Sequence, residues 1–178
     1  MGEVRSWLRD ATREAHARVD AAFAAFRLDD AASYRRFLTA HGQVLAPLER
    51  WLDAGALLPG WQGRARAVDA DLRDFAAELP DPPSLGWQHD EAMRLGALYV
   101  LEGSRMGAAV LAREVPEAFP KRYLTARAAP GQWQALLALL DAKAADRGAH
   151  WRARALDGAQ SVFALFQSAA QEAQAAYR

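Results

Sequence analysis

Cysteine is absent from the 178 residues. That removes disulfides, thiolate metal sites and cysteine nucleophiles together, so any metal must be held by His, Asp or Glu or arrive inside a prebuilt cofactor. Isoleucine is absent as well, valine is scarce, and no stretch alternates apolar with polar residues, so sheet-forming patterns are missing. Neither sign of charge is in excess. The 22 basic side chains balance 22 acidic ones, and no global field recruits nucleic acid or an anionic membrane. No apolar run approaches the length of a membrane span, and the stretch Met1 to Trp7 has neither the basic start nor the apolar core of a secretion signal. The expectation is a cytoplasmic chain with no nucleic-acid or membrane partner. Also missing are a His-Glu-x-x-His pair, a phosphate loop, a Gly-x-Gly-x-x-Gly turn and a Gly-x-Ser-x-Gly elbow. The four histidines, at positions 16, 41, 89 and 150, stand apart from one another in the chain.

What is present is alanine and helical periodicity, which together predict an all-α fold. The length suits one domain, expected to span residues 1–178, with enough core to spare for a cofactor-sized cavity. A first helix is expected from about Glu3 to Phe26, with Asp29 or Asp30 capping a second from Ala31 to Asp53. Pro47 should kink that second helix, and His41, on the stripe of Phe37, Leu38 and Leu45, reads as a packing or hydrogen-bonding residue. After the turn-rich Gly55 to Gly60 connector, a third helix is expected over Gln62–Glu78. It has one apolar face and one charged face, the latter with Arg64, Arg66, Asp69, Asp71, Arg73 and Asp74, that reads as solvated. Pro80 to Gly86 must be a loop. A fourth helix follows over Gln88–Glu114, then an irregular connector and a short basic, aromatic segment at Lys121 to Leu124. A fifth helix ends near Gly148 and a last one runs to about Tyr177, with Gly158 placed to break or bend it.

Two helices carry unusual residues. On the first, Leu8, Ala15, Val19, Ala22 and Phe26 form the apolar stripe, while Arg9, Thr12, His16 and Asp20 run along its border at about 100° per residue. His16 is thus at the edge of the buried face, and Asp20, four residues on, is placed to orient its imidazole. On the fourth, Ala92, Gly96, Gly103 and Gly107 fall within roughly 60° of one another, a strip nearly without side chains. Each mid-helix glycine costs about 1 kcal/mol relative to alanine, so either close helix packing or a ligand should compensate. A histidine helix facing a glycine-rich helix is what haem requires when oxygen is to bind it: an axial nitrogen on one side and an uncluttered opposite side.

At these residues the sequence resembles the haem oxygenases, most closely the bacterial branch associated with bacteriophytochromes. The matching motifs are Leu8-Arg9-x-Ala11-Thr12-x-x-x-His16 with Val19-Asp20, and Tyr34-x-x-Phe37-Leu38 with Pro47-Leu48-Glu49. Asp71-Leu72 and Leu95-Gly96-x-Leu98-Tyr99-Val100-Leu101-Glu102-Gly103-Ser104-x-x-Gly107 complete the set. The resemblance implies a multi-helical fold with haem between the first helix and the glycine-rich one. His16 would be the iron ligand, Gly103 and Gly107 the glycines over the haem face, and Arg9, Thr12 and Arg13 residues along the haem edge. It further implies that haem is both cofactor and substrate, opened with O2 to biliverdin, CO and iron. Ser104, or a water it holds, would assist proton delivery, an external reductase or ferredoxin would supply electrons, and a bacteriophytochrome could receive the bilin. Ser104 stands where many relatives have aspartate, Ala108 where a second glycine is common, and Trp133 to Asp141 lacks an arginine often used to anchor a propionate. A haem carrier or sensor without turnover, and a helical protein without haem, are the alternative readings.

Overall fold

The computed structural model describes residues 3–52, 57–79, 85–88 and 90–176. The expected turn around Gly55, the Pro80 to Ser84 part of the loop, His89, and the expected helix ends at Asp53 and Tyr177 lie outside the described residues. Among those described there are helices only: α1 (Glu3–Phe23), α2 (Ala31–Leu52), α3 (Ala65–Asp74), α4 (Glu91–Leu111), α5 (Arg122–Thr125) and α6 (Gln132–Ala175). The all-helical expectation holds, with helix ends a few residues inside those predicted. No helix among the described residues is long and apolar enough to cross a membrane.

Helix α6 is the element on which the others assemble. Helices α4, α1 and α2 all pack along it, whereas α1 and α4 make little contact with each other. Its two predicted halves run on as one element across Gly148, whose φ of 71° and ψ of −159° interrupt the helical geometry. Glycine is suited to that backbone conformation because it lacks the Cβ clash. Gly158 does not break the helix; it serves packing. A Cβ at Gly158 would lie 2.0 Å from the Met93 carbonyl oxygen on α4, and a Cβ at Gly96 on α4 would lie 1.8 Å from the Ala155 carbonyl oxygen on α6. The two glycines thus let the helix backbones touch at one crossing, and the upper part of the glycine strip has a packing role.

Buried polar groups fix the shorter elements. The Asp30 carboxylate accepts from the Ser33 backbone N–H at 2.8 Å, capping α2. Glu49 accepts from the backbone N–H groups of Arg64 (2.6 Å) and Ala65 (3.0 Å) at the start of α3. Asp71, fully buried, accepts from the backbone N–H groups of Arg122 (3.1 Å) and Tyr123 (2.9 Å), holding α5 in place. Helix α2 continues through Pro47, which is buried. The charged face predicted for α3 is therefore only partly solvated. Arg66 and Arg73 are exposed, but Asp71 and Arg64 are interior, because both satisfy polar groups of elements that pack over α3.

His41 packs as expected. One ring nitrogen, Nδ1, is 2.8 Å from the Phe37 carbonyl oxygen, and the ring sits among Phe23, Phe37, Tyr123 and Phe166 with centroid distances of 4.3, 4.2, 5.0 and 5.5 Å. Burial pushes its pKa from the ordinary 6.5 down to about 3, against the favourable bond to Phe37 and with Arg64 adding to the depression. The folded chain therefore keeps His41 neutral where the unfolded chain binds a proton, and stability falls as pH drops below about 6.5, by at most about 1.4 kcal/mol per unit. In urea unfolding at pH 6.5 and pH 5, His41→Leu should lose less stability across that interval than the wild type. Equal losses would show that His41 takes no part in the acid sensitivity.

Candidate functional site

The amino-terminal helix presents its histidine outward. The His16 side chain is 61% exposed, with Nδ1 3.3 Å from an Asp20 carboxylate oxygen. The ring edge rests on Phe163 of α6, at 5.6 Å and 84° between planes. The i, i+4 spacing on α1 places Asp20 one turn along the same face. With Nδ1 held by Asp20, Nε2 is the nitrogen left to meet a ligand, and Phe163 limits how the ring can turn.

Thr12, one turn earlier, is buried, and its hydroxyl donates to the Leu8 carbonyl oxygen at 2.7 Å. Its polar atom is engaged within α1. Arg9 and Arg13 are both exposed and both reach Asp10: Arg9 Nε at 3.4 Å and Arg13 Nη2 at 2.6 Å from Oδ1. Exposed pairs of this kind are weak, so both guanidiniums can turn toward an anion. The Asp10 carboxyl is held below its usual range, first by the Arg13 hydrogen bond.

The carboxyl-terminal half of α4 carries the rest of the glycine strip. A Cβ at Gly107 would meet nothing within 4 Å, and one at Gly103 would meet only the Trp133 ring, at 3.9 Å. Met106 and Val110, on the same side of the helix, are 61% and 56% exposed. Gly103, Met106, Gly107 and Val110 follow i, i+3, i+4, i+7 spacing and so form one face, apolar and uncovered. The strip positions therefore divide: Ala92 is buried and Gly96 lies against the α6 backbone, Gly103 has only the Trp133 ring of α6 at contact distance, and Gly107 borders open space.

Tyr99 stands one turn before Gly103, half-buried, with its ring 5.5 Å from that of Trp133. Burial raises its pKa, and Arg5, Arg9 and Asp10 of α1 are near enough to act on it. Its hydroxyl thus belongs to the region where the basic edge of α1 approaches α4. Tyr99 was contained in a motif of the sequence, but nothing in its helical position separated it from core aromatics.

Ser104 turns away from the open face. Its hydroxyl donates to the Leu101 carbonyl oxygen at 2.8 Å and accepts from Arg64 Nη2 at 2.5 Å. The same Nη2 reaches the Leu101 carbonyl oxygen at 3.0 Å, while Nη1 is buried without a hydrogen-bond partner. Arg64 is 2% exposed, with its guanidinium 5.1 Å from the Tyr123 ring centroid. A buried cation thus braces the turn of α4 that bears Gly103. By helical period Arg64 belongs to the solvated face of α3; its partners lie about 40 positions away, beyond the reach of helical periodicity. Arg64→Ala should cost about 3 kcal/mol, combining a lost charge-assisted hydrogen bond with a cavity, whereas exposed Arg66→Ala should stay within about 0.5 kcal/mol. Urea unfolding of the two variants checks this; similar small effects would return Arg64 to the surface.

Comparison with known proteins identifies the family. The chain is 34% identical over 154 residues to a haem oxygenase of Xanthomonas campestris, covering 78% of this chain and 89% of that one. It is 37% identical over 109 residues to the haem oxygenase PigA of Pseudomonas aeruginosa, covering 54% of each. The chain belongs to the haem oxygenase family. In three dimensions it is similar to the crystal structure of a haem oxygenase from Neisseria meningitidis with NO or CO bound. That likeness has a TM-score of 0.79 at 22% identity and covers 96% of this chain and 91% of the other. No family model matches the sequence.

Proposed function

We propose that the space between His16 on α1 and the Gly103–Gly107 face of α4 is where this haem-degrading oxygenase holds its substrate. The observation that carries the reading is that two uncovered surfaces lie on helices that both pack along α6. One offers an exposed imidazole with Nε2 unengaged, and the other is an apolar helix face without side chains at Gly103 and Gly107. The residues fit haem: a flat apolar ring needs a flat apolar wall, its iron needs one nitrogen, and its two carboxylates need cations at the rim. Bound haem supplies the iron at which oxygen is activated and is itself the ring that is opened.

The chain's own part is positional. Asp20 fixes the His16 tautomer, with the proton on Nδ1, and strengthens Nε2 as a donor of its lone pair. Arg9 and Arg13 turn from Asp10 toward the propionates, and the Tyr99 hydroxyl stands in the same region to donate a hydrogen bond. With no arginine between Trp133 and Asp141, these groups carry the orientation of the ring. Gly103 and Gly107 leave room over the haem face for a small second ligand. Ser104 has its hydroxyl proton committed to Leu101, so its role is to tie the glycine-bearing turn to Arg64, and protons reach the site through water. Electrons come from a separate reductase or ferredoxin, and a bilin-binding photoreceptor is a fitting receiver for the product.

The test is conversion of stoichiometric haemin under ascorbate, with product analysis. Appearance of a bilin and release of CO are expected. Stable haemin binding without either product would make the protein a carrier.

A further inference from the structure

The two halves of α4 are held by different means. Toward its start, the crossing at Gly96 and Gly158 sets its backbone against that of α6, whereas a Cβ at Gly103 would meet only the Trp133 ring of that helix. Helix α5 packs against α4, and the polar ties to the glycine-bearing half come from the side opposite the glycines. Arg105 stands two residues from each of Gly103 and Gly107, about 160° around the axis from both. Its side chain is only 9% exposed.

All three nitrogens of this guanidinium are engaged. Nε donates to Glu102 Oε1 at 2.8 Å, Nη2 to the Gln62 carbonyl oxygen at 2.6 Å and Nη1 to the Ala126 carbonyl oxygen at 3.3 Å. One planar fork therefore joins α4 to the stretch that leads into α3 and to the stretch that follows α5. Trp61 Nε1 donates to the same Glu102 oxygen at 2.8 Å, and Arg64 reaches Leu101 and Ser104, so residues 61–64 grip one turn of α4 at several points. The Glu102 side chain is 1% exposed. Removing the positive charge beside it would destabilise the chain for that reason alone, but a lysine ammonium can balance Glu102 and cannot span the carbonyls that the guanidinium bridges.

We infer that Arg105 is a positioning residue for haem turnover: from behind, it fixes where the Gly103–Gly107 face stands over the haem, acting through the α4 backbone and touching neither the ring nor the small ligand bound to it. This role rests on the placement of haem against that face, while the bracing itself belongs to the haem-free chain. A face that drifts misplaces the small ligand relative to the ring carbon it must attack, so conversion slows. Haemin affinity, supplied by His16 and the basic edge of α1, stays nearly the same.

The test compares the full-length wild type with Arg105→Lys and with Arg154→Ala, which removes a 3.4 Å contact to the Asp90 cap at the other end of α4. In the haem-free proteins, amide hydrogen exchange over residues 103–111 should quicken at least about tenfold in Arg105→Lys, the effect of one lost charge-assisted hydrogen bond. Residues 95–99 should keep their rate in that variant, and Arg154→Ala should leave residues 103–111 as in the wild type. In the haemin-loaded proteins, reduced and given CO, the CO stretching band should split or broaden in Arg105→Lys alone. Haemin conversion in that variant should slow at least about tenfold with haemin affinity within about threefold of the wild type. Wild-type exchange at residues 103–111, or equal quickening along the whole of α4, would overturn the role. So would faster exchange beside an unchanged CO band and an unchanged conversion rate. A wild type that binds no haemin would refute the placement of haem and this role with it, a failure told apart from the others because exchange is read without haem.

Discussion

Replacing His16 with alanine is expected to lower haemin affinity by at least about 100-fold, equivalent to about 2.7 kcal/mol, and to remove the absorption signature of an axial imidazole. The side chain is exposed and contributes little to the core, so the variant should fold and melt like the wild type. The loss then reports ligation alone. Because alanine leaves the imidazole's place open, added imidazole should restore the signature. Asp20→Asn should give a smaller loss of about tenfold, as removal of an orienting partner commonly does. A Soret titration of the three proteins measures all of this; unchanged affinity in His16→Ala would place the iron elsewhere.

Two glycines on one helix should respond in opposite ways. Gly96→Ala should destabilise the protein by about 3 kcal/mol, the upper range for an overpacked core. Its Cβ meets the Ala155 carbonyl oxygen, backbone on a long helix that cannot move without parting α4 from α6. Gly107→Leu should leave stability unchanged or raise it by up to about 1 kcal/mol, since leucine is the better helix former and its side chain enters open space. That same side chain occupies the volume over the haem face, so turnover of bound haemin should fall at least about tenfold through misplacement of the reactants. Thermal melts and single-turnover rates separate the cases. A stable, active Gly96→Ala, or a fully active Gly107→Leu, would break the division of the strip drawn here.

That division marks what the sequence could and could not convey. A strip of small residues at Ala92, Gly96, Gly103 and Gly107 is legible from spacing, but spacing is identical whether a helix or a ligand lies upon it. The answer depends on where the α6 backbone lies against α4, which Gly158 and Ala155 set about 60 positions away, whereas near Gly103 only the Trp133 ring of α6 comes close. His16 and His41 were separable earlier, because His41 shares its stripe with large core residues while His16 borders one. The helices themselves are legible in alanine content and period, and so is the interruption at Gly148. Arg64 was not legible. Helical periodicity counts it among the charges of α3, and only the packing of α4 above it turns a surface arginine into a buried brace for Ser104. Glu49 and Asp71 are similar, two carboxylates whose caps on α3 and α5 involve chain partners or neighbours that a local pattern does not reveal.

With haem bound, the His16 side of α1 and the Gly103–Val110 side of α4 should face the two sides of one flat ring. Zinc protoporphyrin, a diamagnetic stand-in for haem, allows this to be read by NMR on the full chain. The His16 ring protons and the Met106 methyl should both move strongly upfield in the complex under the ring current of the same macrocycle. A shift at His16 with none at Met106 would put the ring outside the cleft and contradict this placement.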